Sequence, residues 1–457
     1  MKNYETSQIR NVVLLGHGGV GKTSLSEALL FQAGVIARLG HVEEGTTTSD
    51  YDPEEVKRRI SVSLSLLPLE WKGHKINLMD SPGYADFVGE VRSAVRVADG
   101  TVVAVSAVAG VEVGTELVWK YADEGALPRL IFVNKMDREN ADFYKTVEQV
   151  RSFFGGRCVP VQLPIGAQDT FEGVVDLVTG KAYRGPQLEA AEIPASMVSQ
   201  VESFREKLIE AVAETNDDLL NKYLEGEELS EAEVQSALRQ GAREGKIVPI
   251  LVGAALPNRA ISPLLDAMVS YLPSPADMGK VKATNSITKK EESVDPAPSA
   301  PLAALVFKTT ADPYVGKLTY LRVFSGTLHS DSHVWNSVKG RDERVGTLLM
   351  VRGKSQEPVA QLVAGDMGAV AKMAETGTGD TLCSKEMSLI LEPPSFPETL
   401  FSAAVLPKSK ADLDKMSAAL SRLVEEDSTL RTRRDPDTGE TILSGLGESH
   451  VDVAIER

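Results

Sequence analysis

The first half of the chain switches repeatedly between two hydrophobic patterns. NVVLL (11–15), KINLM (75–79), TVVAVSA (101–107) and RLIFVNK (129–135) are short apolar runs rich in β-branched residues, the composition of strands. Between them, SLSEALLFQAG (24–34), DFVGEVRSAVRVA (86–98) and EVGTELVWKYADE (112–124) space their apolar residues as helices do, and Gly34 supplies a stop signal for the first. This alternation predicts a mostly parallel sheet with helices on both faces over residues 8–150, resuming at IVPILVGAA (247–255). In such sheets ligands bind beyond the carboxyl ends of the strands.

The pattern then changes four times. From about 158 to 245, short strand signals (VVDLV, KAY) precede a charged helical stretch, EKLIEAVAETNDDLLNKYLEGEELSEAEVQSALRQ, too long for a loop and expected to form an inserted subdomain. Residues 277–300 are polar and proline-bearing and read as a linker that ends a first domain spanning 1–276. ALVFKTT, KLTYLRVFSG and DMGAVAKM then alternate with turn residues, predicting a small β-barrel over 301–395. Over 396–457 an amphipathic helix, KSKADLDKMSAALSRLVEEDS, lies between strand-like LFSAAVL and ETILSGLG, predicting part of an α+β domain. The chain stops at VDVAIER without a turn or cap, which reads as a cut, and it shows no internal repeat.

Composition narrows the partners. At 457 residues the chain exceeds one core and implies about three domains. With 49 basic and 65 acidic residues its formal charge is -16, which argues against DNA and against general attraction to RNA. Only KRR (57–59) and RTRR (431–434) offer local basic surface, and both read first as solvated faces. MKNYETSQIR lacks the apolar run of a signal peptide, and no stretch reaches the roughly 18 apolar residues of a membrane span. Cys158 and Cys383 fit neither a disulfide framework nor a zinc spacing, so a reduced, cytoplasmic setting is expected.

Three motifs carry chemistry. GHGGVGKT, running through Gly16, His17, Gly18, Gly19, Val20, Gly21, Lys22 and Thr23, with Ser24 after it, matches a phosphate loop in the strand–loop–helix context that the motif requires. Its glycines let successive N–H groups turn toward a β-phosphate, Lys22 reaches the β- and γ-phosphates, and the Thr23 hydroxyl takes a position on Mg²⁺. DSPG follows the strand KINLM: Asp80 can hold the Mg²⁺, Ser81 and Pro82 shape the turn, and the Gly83 N–H can point at the γ-phosphate. NKMD ends the strand IFV. The Asp137 carboxylate can accept from N1 and N2 of guanine, a pattern adenine cannot supply, while Asn134 meets the ring edge, Lys135 packs on the base and Met136 completes the turn. Together these select GTP over ATP.

The set, with SDYDPEEVKRRISVS (switch I), LPIGAQDTFEGVVDLVTGKAY, EGEEL, GAALPNRAISPLLDAMVSYLPSP, DPYVGKLTYLRVFSGTL and SGLGESHVDVAIER, resembles the translational GTPases. Elongation factor G is the most similar, and its divergent elongation factor G-like paralogues in particular. The resemblance implies an α/β P-loop GTPase domain with an inserted G′ subdomain, then a β-barrel domain and part of an α+β third domain, with the family's fourth and fifth domains absent. It implies GTP/GDP and Mg²⁺ as ligands, the RNA and proteins of the large ribosomal subunit as partners, a monomer, and GTP hydrolysis on the ribosome. Ser61 stands at the family's switch I threonine, as a ligand of Mg²⁺ beside Thr23 and Asp80; Ala254 and Ala255 stand at the guanine with their backbone facing the base oxygen.

Several positions depart from that family. Arg59 replaces a glycine in switch I, Gly19 an aspartate in the phosphate loop, Ala254 a serine, and Ser449 a leucine in the third domain. Tyr84 replaces the histidine that orients the attacking water, a role worth about 10²–10⁴-fold. A phenol stays neutral at cell pH where an imidazole can charge. With Tyr84, Lys22 and Gly83 as the catalytic set, slow hydrolysis with intact binding is expected. The readings open at this point are a translocation-type factor, a ribosome-protection or release-factor-type GTPase, and a regulatory module with negligible turnover. His329, His333, Trp71 and Trp119 read as surface or packing residues, and His17 as a residue that shapes its loop.

Overall fold

The computed structural model describes residues 2, 4–185, 187–312, 315–407, 409 and 412–457. Positions 313 and 314 of the DPYVGK stretch, and 408, 410 and 411 before the C-terminal helix, lie outside the described residues.

The alternating first domain folds around one sheet of seven strands. Along the chain it contributes β1 (Ile9–Leu15), α1 (Lys22–Gln32), α2 (Pro53–Arg58), β2 (Ser65–Trp71), β3 (His74–Asp80), α3 (Val88–Val97), β4 (Gly100–Ser106), α4 (Val113–Glu124), β5 (Arg129–Asn134), α5 (Phe143–Phe154) and β6 (Cys158–Pro160). After an insertion, β11 (Val248–Val252) and α9 (Ser262–Tyr271) complete it. The spatial order is β2-β3-β1-β4-β5-β11-β6, parallel except for β2. All seven residues of β1 and of β4 are buried, as central strands covered on both faces require. Register decides where chemistry can sit: Leu14 pairs with Asp80 and Ser106 with Asn134, so four strand ends open on the same edge.

The insertion is a subdomain built on the antiparallel strands β7 (Gln162–Ile165), β8 (Gly173–Asp176), β9 (Lys181–Arg184) and β10 (Glu189–Ala191). Its charged stretch divides into α6 (Val198–Ala213), α7 (Asp217–Leu224) and α8 (Glu231–Arg243) because Asn216 and Ser230 cap new helices with their side chains. Cys158–Pro160, which sequence grouped with the insertion, instead forms β6 at the edge of the main sheet.

The expected linker is a correction. Within 277–300, β12 (Val281–Asn285) and β13 (Glu291–Val294) form a hairpin that also pairs with strand Leu389–Leu391. Only Ala283 and Val294 of this hairpin are buried, so its alternation is one inward residue per strand and disappears in a polar background. The barrel domain is an eight-stranded antiparallel sheet, led by β14 (Ala303–Asp312) and β15 (Gly316–Ser325), whose inward side chains share one core. Its outermost strands, Arg341–Arg344 and Ser355–Val359, do not pair with each other, so the barrel is open. In the third domain, helices α10 (Leu413–Glu426) and α11 (Glu448–Glu456) pack with a three-stranded sheet around Leu420, Leu430, Leu443 and Val451.

Two joints hold these domains to the first. At the barrel, the Arg322 guanidinium donates to Val97 O at 2.8 Å and to Asp99 at 2.7 Å, and Lys75 pairs with Asp366 at 2.6 Å. At the third domain, Glu456 accepts from Lys57 and Arg58, Arg457 donates to Asp52, and Phe87 meets the edge of His450.

Candidate functional site

Where β1, β3 and β5 end, the three motifs surround an open cleft of about 960 Å³, its mouth included. The phosphate loop leaves β1 at Gly16 and turns into α1 through Gly21, whose φ of 94° is one that side-chain-bearing residues rarely adopt. A Cβ at Gly21 would also lie 2.8 Å from the Asn134 amide nitrogen, so the loop and the end of β5 approach this closely only because this residue has no side chain. Asn134 Nδ2 donates to Val20 O at 3.0 Å, and Lys135 Nζ donates to Gly19 O at 2.6 Å. His17 accepts from the Gly114 N–H at 3.2 Å and faces Glu112, which ties the loop to the start of α4.

Lys22 is buried and donates to Gly16 O at 2.9 Å and His17 O at 3.1 Å, the place a phosphate oxygen would compete for. Burial pulls its ammonium down to about 8 against the opposing pull of Asp80 and Asp50. Across from it, a side chain at position 83 would collide with Lys22 Nζ and with the Gly18 backbone, so the close approach of the DSPG turn to the loop needs glycine at 83. Tyr84 is 47% exposed, and its ring lies over Gly18, with Cζ only 2.9 Å from where a Cβ would be.

Thr23 and Ser61 hydroxyls meet at 3.0 Å, so the switch I serine does reach the loop. Behind them both Asp80 oxygens are buried without a hydrogen-bond partner among the described residues; hydroxyls of Ser49, Ser26 and Thr23 face it without completing one. Burial, the largest effect, raises the Asp80 carboxyl. Asp50, which sequence did not single out, lies beside it and is pushed up to about 7 by burial and by Asp80, while Ser61 and Thr23 pull it down. The unsatisfied Asp80 carboxylate, with the Asp50 carboxylate and the Thr23 and Ser61 hydroxyls beside it, makes an all-oxygen set that fits Mg²⁺, a cation that keeps waters and phosphate oxygens as its other ligands. No cluster of three or more His, Cys, Asp or Glu forms a separate metal site among the described residues.

Of the residues named from sequence, Gly18, Gly19, Gly21, Lys22, Thr23, Ser24, Ser61, Gly83, Tyr84, Asn134, Lys135, Asp137 and Ala255 line the cleft. Gly16, His17, Val20, Asp80, Ser81, Pro82, Met136 and Ala254 lie behind the lining. Ser81 donates to Leu14 O at 2.6 Å and so anchors its turn to β1, and Met136 is fully buried. The amides at the base end differ from expectation: Ala254 N–H donates to Arg259 O, and Ala255 N–H to Asn134 Oδ1 at 3.0 Å, so neither is free for a base oxygen. Asp137 has Arg138 at 3.7 Å and no hydrogen bond among the described residues, leaving its carboxylate to accept from a ligand.

Sequence also missed Val42, Glu43, Ile60, Arg138 and Leu256, which complete the cleft. Arg59 lines it too and occupies the C-cap of α2 at φ 57° and ψ 35°. The backbone therefore keeps a conformation suited to glycine while carrying an arginine, at about 1 kcal/mol.

Comparison with known proteins agrees with this architecture. A family profile described as "Elongation factor Tu GTP binding domain" matches residues 7–274, "Elongation factor G domain 2" matches 301–385, and "Elongation Factor G, domain III" matches 396–457. A crystal structure of a Thermus thermophilus protein is similar at 36% identity with a TM-score of 0.87, over 98% of this chain and 66% of that one. The chain therefore belongs to the translational GTPases of the elongation factor G type.

Proposed function

We propose that this chain binds and hydrolyses GTP as a translation factor acting in the cytoplasm on the large ribosomal subunit, and that its hydrolysis is slow because Tyr84 stands where the family has histidine. The observation that supports this reading is the convergence of phosphate loop, DSPG turn and NKMD strand end on one cleft. Lys22 and the loop amides would hold the phosphates, and Asp137 would accept from the guanine edge. Thr23, Ser61 and Asp80, with Asp50 beside them, would hold Mg²⁺, which neutralises phosphate charge when bound. The Tyr84 hydroxyl, with no partner among the described residues, can orient a water with one oxygen but cannot turn cationic. Among the described residues no helix is long and apolar enough to cross a membrane.

A translocation-type role is the reading we favour over ribosome protection or release-factor recycling, because the likeness runs through both elongation factor G domain profiles. A regulatory module with negligible turnover is a second reading, favoured by Tyr84 and Gly19. GTP turnover with and without 70S ribosomes separates them. Ribosome-stimulated turnover lost in Lys22→Ala, and raised at least tenfold in Tyr84→His, is the expected result. A Tyr84→His variant no faster than the parent in single turnover would refute the slow-tyrosine reading.

A further inference from the structure

The switch I segment presents two adjacent arginines that do opposite things. Arg58 is consumed by Glu54 at 3.1 Å and Glu456 at 3.0 Å, facing the third domain. Arg59 lines the nucleotide cleft with Ser61, Gly83 and Tyr84, is exposed, and has no hydrogen bond, ion pair or ring contact among the described residues. Its left-handed backbone, φ 57°, turns the chain at the end of α2 where glycine would be the relaxed choice. Gly18, Gly19 and Lys22, the part of the loop suited to phosphate, line the same cleft.

From these we infer that Arg59 is a cation supplied by the chain itself to the terminal phosphate of a bound nucleoside triphosphate. This rests on the guanine-nucleotide reading above and deepens it. A guanidinium presents five donors in a planar fork that matches phosphate oxygens, and it stays charged at any working pH. Charge that accumulates on the transferring phosphoryl group is stabilised by an arginine delivered to it, whether from the same chain or another. Tyr84 cannot become cationic, and Arg59, two residues before Ser61, brings a positive charge to the same cleft. A diphosphate lacks the group that Arg59 reaches, so the contact also discriminates triphosphate from diphosphate.

Glycine at position 59 removes the guanidinium while suiting the backbone, so Arg59→Gly tests the role without threatening the fold. Affinities for GDP and for a non-hydrolysable GTP analogue, and single-turnover GTP hydrolysis, would be measured on the parent, Arg59→Gly and Arg59→Lys with Mg²⁺ present. The expected result is GDP affinity within twofold of the parent, analogue affinity about tenfold weaker, and hydrolysis at least tenfold slower in Arg59→Gly. Arg59→Lys is expected to regain analogue affinity more than hydrolysis, since a point charge lacks the fork. Analogue affinity and hydrolysis both within twofold in Arg59→Gly would overturn the proposal. Equal losses for GDP and analogue would also overturn it, by placing the effect on the loop instead of the terminal phosphate. A parent that binds no guanine nucleotide would overturn the guanine reading, and this proposal with it.

Discussion

The GTP-binding domain meets the barrel and the third domain through joints of opposite character. Against the barrel the charges are sealed: Arg322 and Asp99 are each 4% exposed, and Lys75 reaches Asp366 within a network that includes Asn11 and Asn77. Against the third domain they are open to water, with side-chain exposures of 61% for Lys57 and 39% for Glu456. A buried pair adds little net stability, yet leaving one member unpaired is costly. An exposed pair is screened and contributes little either way. The sealed joint therefore fixes one arrangement of barrel and sheet. The open joint falls on residues 52–62 and 84–90, the segments that line or border the candidate cleft, and can be remade at small cost.

Two of the four substitutions that follow, Arg322→Ala and Glu456→Gln, test this contrast directly, and the other two probe groups near the open joint. The largest effect is expected from Arg322→Ala, which strands Asp99 in the barrel joint and should lower stability by about 3–5 kcal/mol in urea titration. A loss below about 1 kcal/mol would mean that the joint is not sealed.

Asp427→Asn comes next. Burial would raise this carboxyl, but the hydrogen bond and field of His450, at 2.8 Å, with bonds from Thr429, hold it below its ordinary value. An acid depressed in the folded state adds stability above its unfolded pKa and loses it as pH falls through the folded one. Asp427→Asn is thus expected to cost about 2 kcal/mol at neutral pH and to flatten the decline below about pH 4. Urea midpoints between neutral and acid pH check both.

Arg59→Gly should act in the other direction, raising stability by about 1 kcal/mol because glycine relaxes the left-handed turn after α2. A thermal midpoint unchanged or lowered would show that the arginine side chain stabilises the turn through packing.

The smallest effect belongs to Glu456→Gln, which removes the acceptor of Lys57 and Arg58. No shift in the unfolding midpoint is expected, only a weaker dependence on salt. A large destabilisation would erase the distinction between the joints.

The candidate site was legible in sequence wherever a short stretch sets its own geometry. GHGGVGKT, DSPG and NKMD each take a backbone course set within a few residues, and each follows a strand whose apolar run is plain. The β12–β13 hairpin was not legible, because a two-stranded edge with one inward residue per strand carries almost no pattern. Strand β2 escaped for a related reason, lying at a sheet edge with Pro68 inside it. Asp50 and the occupied amide of Ala255 were equally hidden. Nothing near Asp50 in sequence announces that it will lie beside Asp80, and Arg59, marked in sequence only as standing in place of glycine, gains its position in the cleft only when α2 ends beside the phosphate loop. The Arg322–Asp99 pair joins positions 223 residues apart. Local periodicity and turn chemistry thus specified the elements and the three motifs. Which charges are sealed, which amides are already taken and which cation faces the cleft depend on burial among distant segments, and burial exists only once the chain has packed.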